Sequence, residues 1–209
     1  MPRARRYPAA QAHLAAADSD LAALIARVGP CRLQLHPQRE PYEALVRAIA
    51  HQQLHGRAAE AILGRFTDLY PGRAFPLPAQ LLATEETLLR SVGFSMAKIA
   101  TIRGIATATL EGLVPQRREA QRLADAELIE RLVTLRGVGR WTVEMLLIFT
   151  LGRTDVLPVD DFGVREGWRR IKGLAAQPKP RELAQIGAAW SPWRSVAAWY
   201  LWRAAEKTG

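Results

Sequence analysis

The sequence predicts an all-α protein, on three observations. Apolar residues recur at three- and four-residue intervals along the chain, and no clear series of alternating runs marks strands. Gly and Pro break those stretches at helix-length spacing. The third is composition: 209 residues, 49% hydrophobic and 23% charged, are enough to bury a core in one domain or two small lobes.

The elements follow in order. Asp18 or Ser19 caps a helix through Val28, which Gly29-Pro30 ends. Pro41 starts the next, with Tyr42, Leu45, Val46, Ile49 and Leu54 along one face. Gly56 punctuates it, and Ala58, Ile62, Phe66 and Leu69 resume the pattern before a turn-rich loop, Pro71 to Pro78. Helices are expected over Leu81 to Val92, Ala97 to Leu110 and Ala126 to Leu135. Arg140 to Leu151 follows the Gly137-Val138-Gly139 turn. Asp160 or Asp161 opens a helix to about Lys172, and the last helix runs from Pro192 to Lys207. Cys31–Leu35 is a short extended piece.

Lys and Arg number 29 against 20 Asp and Glu, a net charge of +9. That excess favours a polyanionic partner, nucleic acid first and an acidic membrane second. Cys31 is the only cysteine, which excludes disulfide frameworks, four-cysteine zinc sites and cysteine-ligated iron–sulfur clusters. The apolar run Met145 to Phe149, like every other in the chain, is too short to span a bilayer. The basic, Ala-rich start is interrupted by Gln11 and His13, so no signal peptide is expected. A soluble protein of a reducing, intracellular compartment is the expectation.

The segment L-V-T-L-R-G-V-G-R-W-T (132–142) carries the first chemistry. Gly137 and Gly139 permit a tight reversal and a close backbone approach. The helix that follows opens with unpaired N–H groups whose dipole favours a phosphate oxygen, and Arg140 adds charge there. Twenty residues beyond Trp141 stands Asp161, in L-P-V-D-D-F-G (157–163). His51 and His55 sit at i and i+4 as in a zinc helix, but the Glu of a zinc protease is absent.

The hairpin followed at this spacing by P-V-D-D-F-G resembles the helix-hairpin-helix DNA glycosylase superfamily, and within it the 3-methyladenine DNA glycosylase II branch. P-Y-E-A-L-V-R-A-I-A-H-Q-Q-L (41–54) and W-S-P-W-R-S-V-A-A-W-Y-L-W (190–202) match as well, so the resemblance runs from about Leu21 to Trp202. It implies two helical lobes, residues 39–151 with the hairpin and 1–38 plus 152–209 with the catalytic Asp. The whole chain, 1–209, would be one catalytic unit with its active site between them.

The catalytic carboxylate falls on Asp161, while Asp160 occupies a variable position. Either could instead be a simple N-cap, and a helix N-terminus favours negative charge in both cases. An anion there stabilises oxocarbenium character on the sugar, and Asp161 could also position or deprotonate water. Lyase members resemble L-P-G-V-G-x-K; Trp141 stands at that Lys position, which implies a monofunctional enzyme, with Lys172 or Lys98 as substitutes only in an unusual geometry. Trp141 and Trp202 match the pocket walls, Met145 replaces an aromatic there, and His51 borders the pocket. Met96, in G-F-S-M-A-K (93–98), aligns with the apolar wedge that fills the flipped base's place. Gln53 lies near the DNA-facing pattern, with Gly137, Val138, Gly139, Arg140 and Thr142 on the phosphates. Trp190, Trp193 and Trp199 read as packing residues.

The resemblance implies no cofactor for catalysis and a structural Na+ or K+ on the backbone carbonyls of Val133, Leu135 and Val138. The expected partner is double-stranded DNA containing alkylated bases, bound by a monomer and in no membrane. The expected location is the bacterial cytoplasm, with the nucleoid, or a eukaryotic nucleus. Too few residues precede the core for the β domain of a bacterial relative. A noncatalytic helix-hairpin-helix module would share the charge and the hairpin but leave Asp161 and the tryptophans as scaffold. A glycosylase of different base specificity is the other alternative.

Overall fold

The computed structural model describes residues 7–54 and 56–206. Among them the helices are α1 (Pro8–Ala17), α2 (Ser19–Val28), α3 (Pro41–His51), α4 (Gly56–Asp68), α5 (Pro78–Ala83), α6 (Glu86–Ser91) and α7 (Met96–Leu110). There follow α8 (Arg117–Ala120), α9 (Asp125–Leu132), α10 (Arg140–Met145), α11 (Phe162–Ile171), α12 (Pro180–Ile186) and α13 (Arg194–Ala205). Leu146–Leu151 continues α10 with π winding, Gly187–Trp190 is 3₁₀, and no strand forms among the described residues. The chain is thus all-α. His55 and Lys207 lie outside the described residues.

The chain divides into two compact units, Pro37–Leu146 and the sequence on either side of it. The first is built on α7, whose Ile99, Ile102 and Ile105 are buried with Leu45 and Ile49 of α3. Each such side chain contributes about 1.5–3 kcal/mol relative to exposure. Phe66 is the hub of an edge-to-face cluster with Tyr70, Phe75 and Phe94. In the second unit α11 and α13 pair closely, because Gly167 lies against the Leu201 backbone, where a Cβ would collide with the Leu201 carbonyl. Trp190 and Trp199 are buried packing residues, and Trp193 meets Tyr7 edge-on.

Most boundaries follow local chemistry. Asp18 accepts the N–H groups of Asp20 and Leu21 and caps α2; Ser95 accepts from Lys98 and caps α7. Leu81 to Val92, expected as one helix, is two, α5 and α6. Thr84 and Glu85 are extended between them, and Arg103 of α7 donates to the Leu82 and Thr84 carbonyls at the break. The last helix starts at Arg194, so Pro192 lies before it.

Candidate active site and DNA-binding hairpin

Asp161 is the N-cap of α11, reached through a turn closed by its own N–H on the Pro158 carbonyl at 3.0 Å. Its Oδ1 accepts the Val164 N–H at 2.8 Å and the Trp202 Nε1–H at 2.9 Å. Two donors on one oxygen, at the positive end of a helix, stabilise the carboxylate's charge and fix its direction. Trp202 is held in turn by stacking on Phe149, centroids 5.6 Å apart and 23° from parallel. A Cβ on Gly163 would stand 2.8 Å from Trp202 Cδ1 and 3.2 Å from Asp161 Oδ1, so only glycine lets the indole reach the cap. Gly163 and Gly167 therefore bare one face of α11 to α13. Asp160 is exposed, beside the cap.

The loop leading to Asp161 is pinned to the start of α13. The buried Ser195 hydroxyl accepts the Val156 N–H at 2.9 Å and donates to the Arg153 carbonyl at 2.8 Å. Asp155 accepts from Arg194 Nε at 2.7 Å and from Ser191 Oγ at 2.8 Å. The Arg194 guanidinium, with the Ser191 hydroxyl, holds the Asp155 carboxyl below its ordinary value despite burial.

In the other unit the hairpin turn spans residues 133–139, between α9 and α10. Gly137 has φ +81°, and a Cβ there would collide with the Thr101 hydroxyl of α7. Gly139 is the N-cap of α10, and Arg140 follows it. Arg140 donates to the buried Glu144 at 2.9 Å, so part of its charge is neutralised within the hairpin. Thr142 is buried and accepts the Gln52 amide at 3.1 Å. The same amide reaches the Gly137 carbonyl at 3.3 Å. Sequence reasoning passed over Gln52, a polar residue at a helix end whose partners lie some 85–90 positions away. Its neighbour Gln53 has φ +58°, the only positive value for a non-glycine among the described residues.

Trp141 and Met145 lie half-buried on α10. His51 faces Glu60 across 3.1 Å. Met96 is 44% exposed as the first residue of α7. The lysines weighed as lyase substitutes are both engaged. Lys98 donates to the carbonyls of Ala50 and Gln52 at 2.9 and 2.8 Å, and burial lowers its pKa. Lys172 donates to Asp18 and Asp20 at 2.7 and 2.6 Å; burial opposes its charge, but those carboxylates outweigh it and raise the pKa.

The chain thus carries a helical hairpin with a capping Asp 22 to 24 residues beyond its glycines. Residues 46–192 match the family model of the HhH-GPD superfamily of base excision DNA repair proteins, and the chain belongs to that superfamily. It is 42% identical to DNA-3-methyladenine glycosylase 1 of Schizosaccharomyces pombe, over 94% of this chain and 87% of that one. It is 37% identical to an alkylbase DNA glycosidase-like protein of the same yeast, over 94% and 93% of the two chains. The 3-methyladenine DNA glycosylase of that yeast in complex with abasic DNA superposes with a TM-score of 0.88, at 43% identity over 93% of this chain and 95% of that one.

Proposed function

We infer that this chain is a DNA-3-methyladenine glycosylase, and we propose that it is monofunctional. As a monomer it would remove cationic methylated purines from double-stranded DNA by flipping the base and hydrolysing its N-glycosidic bond. The observation that carries the proposal is the Asp161 carboxylate, aimed by the Val164 N–H and the Trp202 indole at the start of α11.

Breaking the bond builds positive charge on the deoxyribose, which a fixed anion stabilises. Asp161 supplies that anion and can accept a proton from the attacking water. A methylated purine is already cationic, so it departs without a strong general acid. The resemblance assigns Trp141, Trp202, Met145 and His51 to the base pocket, where an aromatic face would attract that cation. Because Phe149 covers one side of Trp202, that indole serves Asp161 first and the base second. Trp141 stands where lyase relatives carry Lys, and the ammoniums of Lys98 and Lys172 are held elsewhere, so water is the nucleophile.

The turn amides and Arg136 and Arg140 would meet phosphates, with Met96 at the vacated base position and Gln53 facing the DNA. The Val133, Leu135 and Val138 carbonyls suit a Na+ or K+ ion: they are hard neutral oxygens on the turn, and Leu135, though it accepts the Val138 N–H at 3.0 Å, keeps a second lone pair. When bound, that ion adds positive charge beside the phosphate. The test is incubation with methylated duplex DNA, followed by analysis of released bases and strand breaks. Release of 3-methyladenine, with breaks only after alkali or heat, is expected. Breaks without alkali, or release of uracil or 8-oxoguanine in preference, would overturn it.

A further inference from the structure

The turn after α3 is held in a conformation its sequence does not favour. Gln52 has φ −55° and ψ 128°, Gln53 has φ +58°, and the Leu54 N–H closes on the His51 carbonyl at 3.3 Å. That is a type II turn, whose third position normally takes Gly or Asn. The alternative type I turn would relax Gln53 to negative φ and differs chiefly by flipping the Gln52–Gln53 peptide. Such a flip would swing the Gln52 carbonyl away from its partner, the Lys98 ammonium at 2.8 Å. Lys98 is anchored a second time on the Ala50 carbonyl, so it stays in place to hold that peptide.

The same residue reaches outward. The Gln52 side-chain amide donates to the Gly137 carbonyl and the Thr142 hydroxyl of the hairpin. Lys98 belongs to the first turn of α7, two residues after Met96. One lysine and one glutamine thus join the strained turn, the start of α7 and the hairpin. We propose that Lys98 and Gln52 are positioning residues: Lys98 latches the Gln52–Gln53 peptide in its strained orientation, and Gln52 registers that turn against the hairpin, so that Gln53 is presented to the DNA. They serve insertion into the duplex rather than backbone binding or bond cleavage. The inference rests on the proposed glycosylase reading.

The latch makes a prediction that a merely structural role would not. Lys98→Met should slow single-turnover release of 3-methyladenine at saturating enzyme about ten- to 100-fold, the loss expected for charged hydrogen bonds. Affinity for undamaged duplex and its salt dependence should stay within about twofold, since the hairpin still meets the phosphates. Asn tolerates positive φ, so in the Gln53→Asn background the added Lys98→Met loss should shrink to about twofold or less. Gln52→Leu, which leaves both Lys98 bonds in place, should show the same pattern of slower release at unchanged duplex affinity. If Lys98→Met does not fold, as melting would reveal, Gln52→Leu carries the test. An equal Lys98→Met loss in both Gln53 backgrounds would overturn the latch, as would weaker duplex binding with an unchanged saturated rate. Should the wild type release no methylated base, the glycosylase reading fails. The latch is then judged by 2-aminopurine fluorescence beside a tetrahydrofuran abasic site, compared across the same variants.

Discussion

At Asp161 the charge and its direction have separate sources, and two substitutions separate them. Asp161→Asn keeps an oxygen that can accept from Val164 and Trp202, so the cap and the fold should survive with melting nearly unchanged. The anion is gone, and single-turnover base release should fall about 100-fold or more, the scale of losing an electrostatic stabiliser. Activity within a few-fold of wild type would remove Asp161 from the chemistry. Trp202→Phe keeps a ring to stack on Phe149 but deletes the Nε1–H donor. A misaimed carboxylate should cost about tenfold in saturated rate, with a smaller change in duplex affinity. Loss of duplex affinity alone would instead make Trp202 a DNA contact. The D-D-F-G motif made Asp161 legible in the sequence, and its glycine has a physical reason in the indole packed on it. The indole's service to Asp161 was not legible. Its partner is 41 residues away, and nothing local distinguishes an N–H donor from a stacking wall.

Among the elements, several that begin with a local signal were legible: Asp18, Pro41 and Asp161 start helices by side-chain or ring chemistry near their own backbone. Those that distant partners shape were not. Arg103 supports the break between α5 and α6 from another helix, and the π winding after Met145 leaves no periodic trace in a run that is apolar but for Thr150. α12 was passed over although Pro180 opens it and Glu182 bonds back to the Lys179 N–H at 2.8 Å. The loop before Asp161 belongs to the distant kind, held by Arg194 and Ser191 through Asp155. Because Asp155 has a lower pKa folded than unfolded, its contribution is complete above about pH 4 and fades as pH falls through the lower folded value. The pair is about one-third exposed, so Asp155→Asn should cost only about 0.5–1 kcal/mol, or about 1–3 °C in melting temperature, at pH 7. The gap between variant and wild type should narrow as pH falls below the ordinary carboxylate range and through the lower folded value. Melting curves across pH 2–7 check this; a gap that persists unchanged at pH 2 would assign the loss to packing rather than to the ion pair.

For the whole molecule, the excess of 29 basic over 20 acidic residues matters only where the charge is free to meet a phosphate. The two hairpin arginines differ in this respect. Arg136 is exposed on the turn itself, whereas Arg140 already spends part of its field on the buried Glu144. Binding to undamaged duplex should weaken steeply with salt, each neutralised phosphate adding about −0.9 to the slope of log K against log salt. Arg136→Ala should therefore make the slope shallower by about 0.9, with little dependence on DNA sequence. Arg140→Ala should change it by clearly less, because the released charge is small, and should lower the melting temperature more, because the buried Glu144 loses a charged partner. Dissociation constants measured from 50 to 300 mM salt, alongside melting curves, separate the two. Equal slope changes would mean that DNA draws Arg140 off Glu144 on binding, and a flat plot for the wild type would remove phosphate contact as the source of affinity.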